Sequence, residues 1–209
     1  MSMIQTKKVP FKEDSNIKTS ADEIIIVSGL PRSGTSMVMQ MLCKANVPLL
    51  TDGKRQPDLW NPFGYFEYSP VKTLEKNNYW LETAHGAAVK VVSPLLKYLP
   101  NNFSYRMIFI LRNLSETLAS QTHMMSFSNR SGGLGTSLDI DELTTHLIDI
   151  RDWIIKDDRF TVLWLNHRAL IKNPIGQAKL IAKFLNLPQK NDAMAAAVRP
   201  RLVHQYDGS

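Results

Sequence analysis

Unbroken apolar runs and helical stripes alternate along this chain. Glu23-Ile24-Ile25-Ile26-Val27 is a continuous β-branched run, the pattern of a strand buried on both faces of a parallel sheet. It stops at Gly29 and Pro31. Thr35 to Asn46 then reads as a helix with Met37, Met41 and Leu42 at core-facing spacing, ended by Val47-Pro48. Residues 48–68 are loop-like, with Pro48, Gly53, Pro57, Pro62 and Gly64 among aromatic residues. A second helix is predicted from Ser69, as its cap, through Pro70 to about Ala84. Ala87 to Val92 forms a short second strand, and Arg106 to Leu111 a third of the buried kind. Asn113 and Glu116 have capping-box spacing and open a helix to about Met125.

Residues 126–137, SFSNRSGGLGTS, have the composition of a flexible loop and a candidate lid. Beyond it, Asp139 to Asp157 carries Leu143, Leu147, Ile150 and Ile154 on one helical stripe. Thr161 to Leu165 is a fourth strand, and residues 174–187 a last helix with Ile175, Ala178, Ile181 and Leu185 inward. Residues 1–20 show no periodicity and read as a flexible tail. Residues 21–209 contain no repeat and read as one domain. Strands alternating with helices predict an α/β fold, a three-layer sandwich around a mostly parallel central sheet.

Composition narrows the classes. With 44% hydrophobic residues in 209, the chain suffices for one core, and 21% charged residues exclude a disordered polymer. The net charge of +6 favours anionic ligands, although the basic residues are dispersed as on any basic surface. No aromatic–basic platform points to nucleic acid. Cys43 is the sole cysteine, which excludes an intrachain disulfide or a zinc site of several cysteines and points to a reducing compartment. The first 20 residues lack a signal-peptide core, and no run of 18 apolar residues occurs. A cytoplasmic location without a membrane span is expected.

The chemistry concentrates at Gly29-Leu-Pro-Arg-Ser-Gly34-Thr35-Ser36, between a buried strand and a helix. Glycines there let the backbone turn tightly, and the next amides along the chain form an anion nest at the positive end of the helix. The hydroxyls of Ser33, Thr35 and Ser36 add hydrogen bonds, and Arg32 a charge-assisted one. The alternative is a glycine turn that merely makes the turn. Against the triphosphatase form GxxxxGK(S/T), Thr35 stands where a lysine would reach the phosphates, and no later strand ends in a metal-holding Asp: RMIFIL runs into Arg112 and TVLWL into Asn166. A phosphate or sulfate ester suits the loop, without metal. Arg112 ends the third strand, where ligands gather in open α/β sheets. Ser120, seven residues past Asn113, returns to the same helix face, so both can converge on one anion.

IIIVSGLPRSGTS resembles the 5′-phosphosulfate loop of sulfotransferases that use 3′-phosphoadenosine 5′-phosphosulfate (PAPS), in the PRSGTS form of bacterial and tyrosylprotein members. FILRNLSETLAS resembles their 3′-phosphate motif, in which a strand-ending Arg and a Ser eight places on bind that phosphate. NPFGYFE and WLNHRALIKNPIGQAKLIAKFLNLP are similar to further family segments. The resemblance implies transfer of a sulfuryl group from PAPS to a hydroxyl or amine. It assigns Pro31, Arg32, Ser33, Gly34, Thr35 and Ser36 to the 5′-phosphosulfate, and Arg112 and Ser120 to the 3′-phosphate.

Transfer needs a base for the acceptor proton. Cytosolic family members have Lys-Thr-His there; the comparable stretch is Lys90-Val91-Val92, so the His is absent. Glu67 is the candidate base, its alternative being a solvated carboxylate before a helix. Lys90 is a candidate to bind the transferring sulfuryl oxygens, its alternative being a strand-edge lysine. Trp60, Phe63, Tyr65 and Phe66 either line an acceptor pocket or anchor the loop. His85, His123, His167 and His204 have no metal-ligand spacing and are read as structural. A phosphoryl-transfer enzyme and a non-catalytic nucleotide- or nucleic-acid-binding protein are the competing functions.

Overall fold

The computed structural model describes residues 23–58, 61–127, 139–188 and 190–199. The tail 1–20, Trp60, His204 and nearly all of the 126–137 loop lie outside them. Four strands form one parallel sheet: β1 (Ile24–Gly29), β2 (Ala88–Lys90), β3 (Tyr105–Leu111) and β4 (Phe160–Asn166), in the order β2-β1-β3-β4. Register pairs Val27 with Lys90, Gly29 with Ile110, and Leu111 with Asn166. The C-terminal ends of β1, β2 and β3 therefore open on the same edge of the sheet, with β1 between the other two.

Strand alternation divides the apolar side chains between two layers. Ile25 and Val27 of β1 face one core, against Val38 and Met41 of α1 (Thr35–Lys44) and Ile181 of α5 (Pro174–Leu185). Ile24 and Ile26 face the other, against Leu81, Leu96 and Ile154 of α3 (Ile140–Lys156). Both faces of β1 are thus buried, each such isoleucine or valine contributing about 1.5–3 kcal/mol of hydrophobic stabilisation. The two cores on one sheet make the three-layer sandwich.

Helix α2 (Leu114–Phe127) follows β3, α4 (His167–Lys172) follows β4 directly, and α6 (Asn191–Ala196) closes the described part. Side-chain caps fix the starts of α4, α5 and α3: Asn166 accepts from the Ala169 amide, Asn173 from Gly176, and Asp139 and Glu142 form a reciprocal box. At α2 only half of the predicted box forms. The Glu116 amide donates to Asn113 Oδ1 at 3.1 Å, while the Glu116 carboxylate turns to two arginines.

The helix predicted over 69–84 is instead two 3₁₀ turns, Ser69–Thr73 and Tyr79–Thr83. Val71, Leu74, Leu81 and Ala84 are buried as a helical stripe would require. Between them, however, the amides of Lys76 and Asn77 both donate to the Thr73 carbonyl and close a turn over Thr73–Asn77, and the chain then leaves helical geometry at Asn77-Asn78, where asparagine is a weak helix former. Two other expectations shift: Ile175 is 44% exposed in the first turn of α5, and Val38 and Met39 rather than Met37 fill the core side of α1.

Candidate active site

The turn after β1 requires its glycines for reasons internal to the fold. Gly29 (φ 149°) and Gly34 (φ 105°) lie in the left-handed half of backbone space. A Cβ on Gly29 would sit 2.4 Å from Ser33 Oγ and 2.6 Å from the Ile110 carbonyl; one on Gly34 would sit 2.7 Å from His167 Cδ2. The space beside these glycines is therefore filled by Ser33, β3 and His167. Arg32 is also left-handed (φ 72°), a strained state for a residue with a Cβ. The neighbouring helix holds it: Arg112 Nη1 donates to the Arg32 carbonyl at 2.9 Å, and Gln121 Nε2 to the Pro31 carbonyl at 2.9 Å.

Helix α1 starts at this turn with Gly34 as its cap and no side-chain cap, so its first amides have no intrahelical acceptor. Pro31, Arg32, Gly34, Thr35 and Ser36 line a cavity of about 690 Å³. Ser33 does not. Its Oγ is buried beside Gly29 without a hydrogen-bond partner, and its amide donates to the Leu30 carbonyl, so the hydroxyl expected on a ligand points into the protein.

On the β3 side of the loop, Arg112 and Ser120 line the same cavity, as do Glu116, His167 and Arg168. Ser120 Oγ accepts from Arg32 Nε at 3.1 Å, joining the two predicted anion motifs. Glu116 accepts from Arg112 Nε at 3.3 Å and from Arg168 Nε at 3.0 Å. Burial pushes the Glu116 carboxyl up, but the hydrogen bonds from Arg168 and Arg112 outweigh it and hold it below its usual range. His167 is 5% exposed, with Nδ1 unpartnered; burial, aided by Arg112, lowers its pKa to about 4, so the ring is neutral at physiological pH.

On the β2 side stand Lys90 and Glu67. Lys90 ends its strand, is 9% exposed, and donates to the Tyr65 carbonyl. Burial lowers its pKa to about 8, against the attraction of Glu67 at 3.7 Å. Glu67 is no solvated carboxylate: Arg55 Nη1 lies 2.6 Å from Oε1, and Lys72 Nζ 3.9 Å from Oε2. The Arg55 guanidinium stacks 3.4 Å from the Tyr65 ring centroid, whose hydroxyl donates to Asp58 at 2.6 Å. Ser36 Oγ donates to the Tyr65 carbonyl at 3.3 Å, so the 61–67 segment is pinned to the start of α1. Phe63 and Tyr65 line the cavity, while Phe66 packs on the core beneath and anchors the loop.

Arg55, Arg168 and Arg199 line the cavity and His167 backs the loop; Arg55 and Arg199 stand in no motif, and His167 and Arg168 lie in the family-like segment WLNHRALIKNP, which assigned them no role. Only the cap Asn166 immediately before His167 and the chain position of Arg168 beside β4 could have drawn notice. Of the other histidines, His85 tilts against Phe103, and the side chain of His123 lies outside the described set. Among the described residues no group of His, Cys, Asp or Glu could hold a metal, and no helix is long and apolar enough to cross a membrane.

A family model described as "Sulfotransferase domain" matches residues 22–201. Two solved structures share the fold. A mouse sulfotransferase, SULT7A1, complexed with PAP is 17% identical with a TM-score of 0.51; the match covers 88% of this chain and 64% of that one. The sulfotransferase domain of the Synechococcus PCC 7002 olefin synthase is 15% identical with a TM-score of 0.52, covering 90% of this chain and 88% of that domain. This chain thus spans less than two thirds of the mouse protein. No curated protein matches it in sequence.

Proposed function

Because the chain belongs to the sulfotransferase domain family, we propose that it transfers a sulfuryl group from PAPS to a hydroxyl or amine acceptor, in line and without a metal. One observation carries this reading. Arg112, from the second motif, donates to the carbonyl of Arg32 in the first, and Arg32 donates to Ser120, so both motifs build one wall of one cavity. The donor set suits a doubly anionic nucleotide, with helix-start amides and Arg32 at one end and Arg112 with Ser120 at the other. The mouse relative, solved with PAP (adenosine 3′,5′-bisphosphate), supports the choice of nucleotide.

PAPS supplies a sulfuryl group whose bond to the bridging phosphate oxygen breaks, the electron pair staying on that oxygen, as an acceptor oxygen or nitrogen bonds to sulfur. The amides of Gly34, Thr35 and Ser36 and the Arg32 guanidinium stabilise the charge gathering on the leaving phosphate. Ser33 serves through the turn it makes, not through its hydroxyl. Lys90, opposite the loop on β2, holds the sulfuryl oxygens. Glu67, 3.7 Å from Lys90, takes the acceptor proton. Phe63 and Tyr65, which line the cavity, belong to the acceptor side, and residues 21–209 work as one domain in the cytoplasm.

A kinase would call for a lysine where Thr35 begins α1. Calorimetry separates the two. Tight, metal-independent binding of adenosine 3′,5′-bisphosphate is expected; binding of ATP with magnesium and not of the bisphosphate overturns the proposal.

A further inference from the structure

The strand order separates the cavity into two flanks. β1 delivers the loop at the centre; Arg112 and Arg168 stand on the β3–β4 flank, and Lys90 on the β2 flank. Under the sulfuryl-transfer reading, on which this inference rests, the nucleotide's charges fall to the loop and the β3–β4 flank. The β2 flank then holds more positive charge than one sulfuryl group needs. Three cations, Arg55, Lys72 and Lys90, line the cavity there beside the Glu67 carboxylate, and Arg199, after α6 and over Phe63, adds a fourth to the lining.

Arg55 is committed to Glu67 at 2.6 Å and Lys90 to the Tyr65 carbonyl. Lys72 and Arg199 are placed differently. Lys72 has a 73% exposed side chain and reaches Glu67 only at 3.9 Å, a weakly bound surface cation. Arg199 lies over the Phe63 ring at 4.7 Å, its charge at the lip of the cavity. Asp58 stands behind Tyr65, occupied by the Tyr65 hydroxyl and the Asn61 amide, and does not line the cavity. The same cavity is lined by the aromatic and apolar side chains of Phe63, Tyr68, Val71 and Leu95.

We propose that the acceptor is an anion: an aromatic or apolar hydroxyl compound carrying a carboxylate or similar acidic group, which Lys72 and Arg199 receive while the hydroxyl meets Glu67. The apolar wall takes the body of the molecule, and charge selects it from neutral relatives. Lys72 and Arg199 are specificity residues, not members of the transfer machinery.

The test uses the full chain saturated with adenosine 3′,5′-bisphosphate. By calorimetry it is titrated with para-hydroxyphenylacetate, the neutral para-hydroxyphenylacetamide, and the trimethylammonium analogue, which share one phenol. The anion should bind at least about tenfold more tightly than the amide, the size of one partly screened charge contact, and the cation most weakly. Lys72→Glu and Arg199→Glu should each erase that preference while leaving bisphosphate affinity unchanged. Equal binding of anion and amide, a preference for the cation, failure of all three to bind, or a preference that survives both substitutions overturns the inference and leaves sulfuryl transfer standing. Failure of the bisphosphate itself to bind overturns both.

Discussion

Raising the pH should switch this protein off through Lys90, and the structure sets where. The ammonium is 9% exposed, and burial lowers its pKa from 10.5 to about 8. At pH 7 about nine in ten molecules then carry the cation, and at pH 9 about one in ten. If, as proposed, the charged form holds the sulfuryl oxygens, kcat/KM for PAPS, which reports the free enzyme, should fall about tenfold from pH 7 to pH 9. The loss lies on the alkaline side, since deprotonation removes the charge. Unfolding does not mimic it. Between pH 8 and 10.5 the unfolded chain binds more protons at this lysine than the folded one, so its contribution to stability rises there, by up to about 3 kcal/mol. Lys90→Arg keeps a cation whose pKa is far higher and should remove the alkaline fall. A profile flat to pH 9, or the same fall in Lys90→Arg, refutes the assignment.

Arg112→Ala should weaken adenosine 3′,5′-bisphosphate by about 10- to 100-fold, the range of a lost charged hydrogen bond, and 5′-AMP far less; equal losses would remove Arg112 from the 3′-phosphate. Glu67→Gln should lower turnover by about 10²- to 10⁴-fold while sparing bisphosphate affinity, and unchanged turnover would clear Glu67 of base duty. Gly34→Ala places a Cβ 2.7 Å from His167 at a φ of 105°, and should cost at least about 1–3 kcal/mol in denaturant unfolding. Partial recovery in Gly34→Ala with His167→Ala would assign the steric share to the ring, and an unchanged midpoint in the single variant would refute the clash.

The parts of the fold that were legible are those whose signal is local. Ile24 to Val27 had to be a two-faced strand because four consecutive side chains are β-branched, and both faces are buried. The stripe Leu143, Ile150 and Ile154 foretold α3 in the same way. The stripe Val71, Leu74, Leu81 and Ala84 was as regular, yet the backbone there breaks at Asn77-Asn78, because burial fixes which side chains point inward and not how the chain turns between them. Arg32, Arg112 and Ser120 were legible from the loop after β1, the end of β3 and the face of α2, and all three line one cavity. Ser33 was misread, since a hydroxyl within a turn can face inward as easily as outward. The cage of Arg55, Lys72 and Lys90 around Glu67 left no trace in spacing: its members stand at irregular intervals along the chain and meet only through tertiary packing.

The central position of β1 also bears on how such a site can diverge. Every cavity residue from Arg55 to Leu95 comes from one uninterrupted stretch ahead of β3, while the arginines proposed for the nucleotide follow or form the central loop. On the proposed reading, the residues that meet the acceptor come mostly from that one stretch, which also carries Glu67 and Lys90 of the transfer step, while the nucleotide is held from outside it. Grafting that stretch, with the residue at 199, between proteins of this fold should change what is modified provided the lysine at 90 and the carboxylate at 67 travel with it, the nucleotide staying with the loop and the β3–α2 junction.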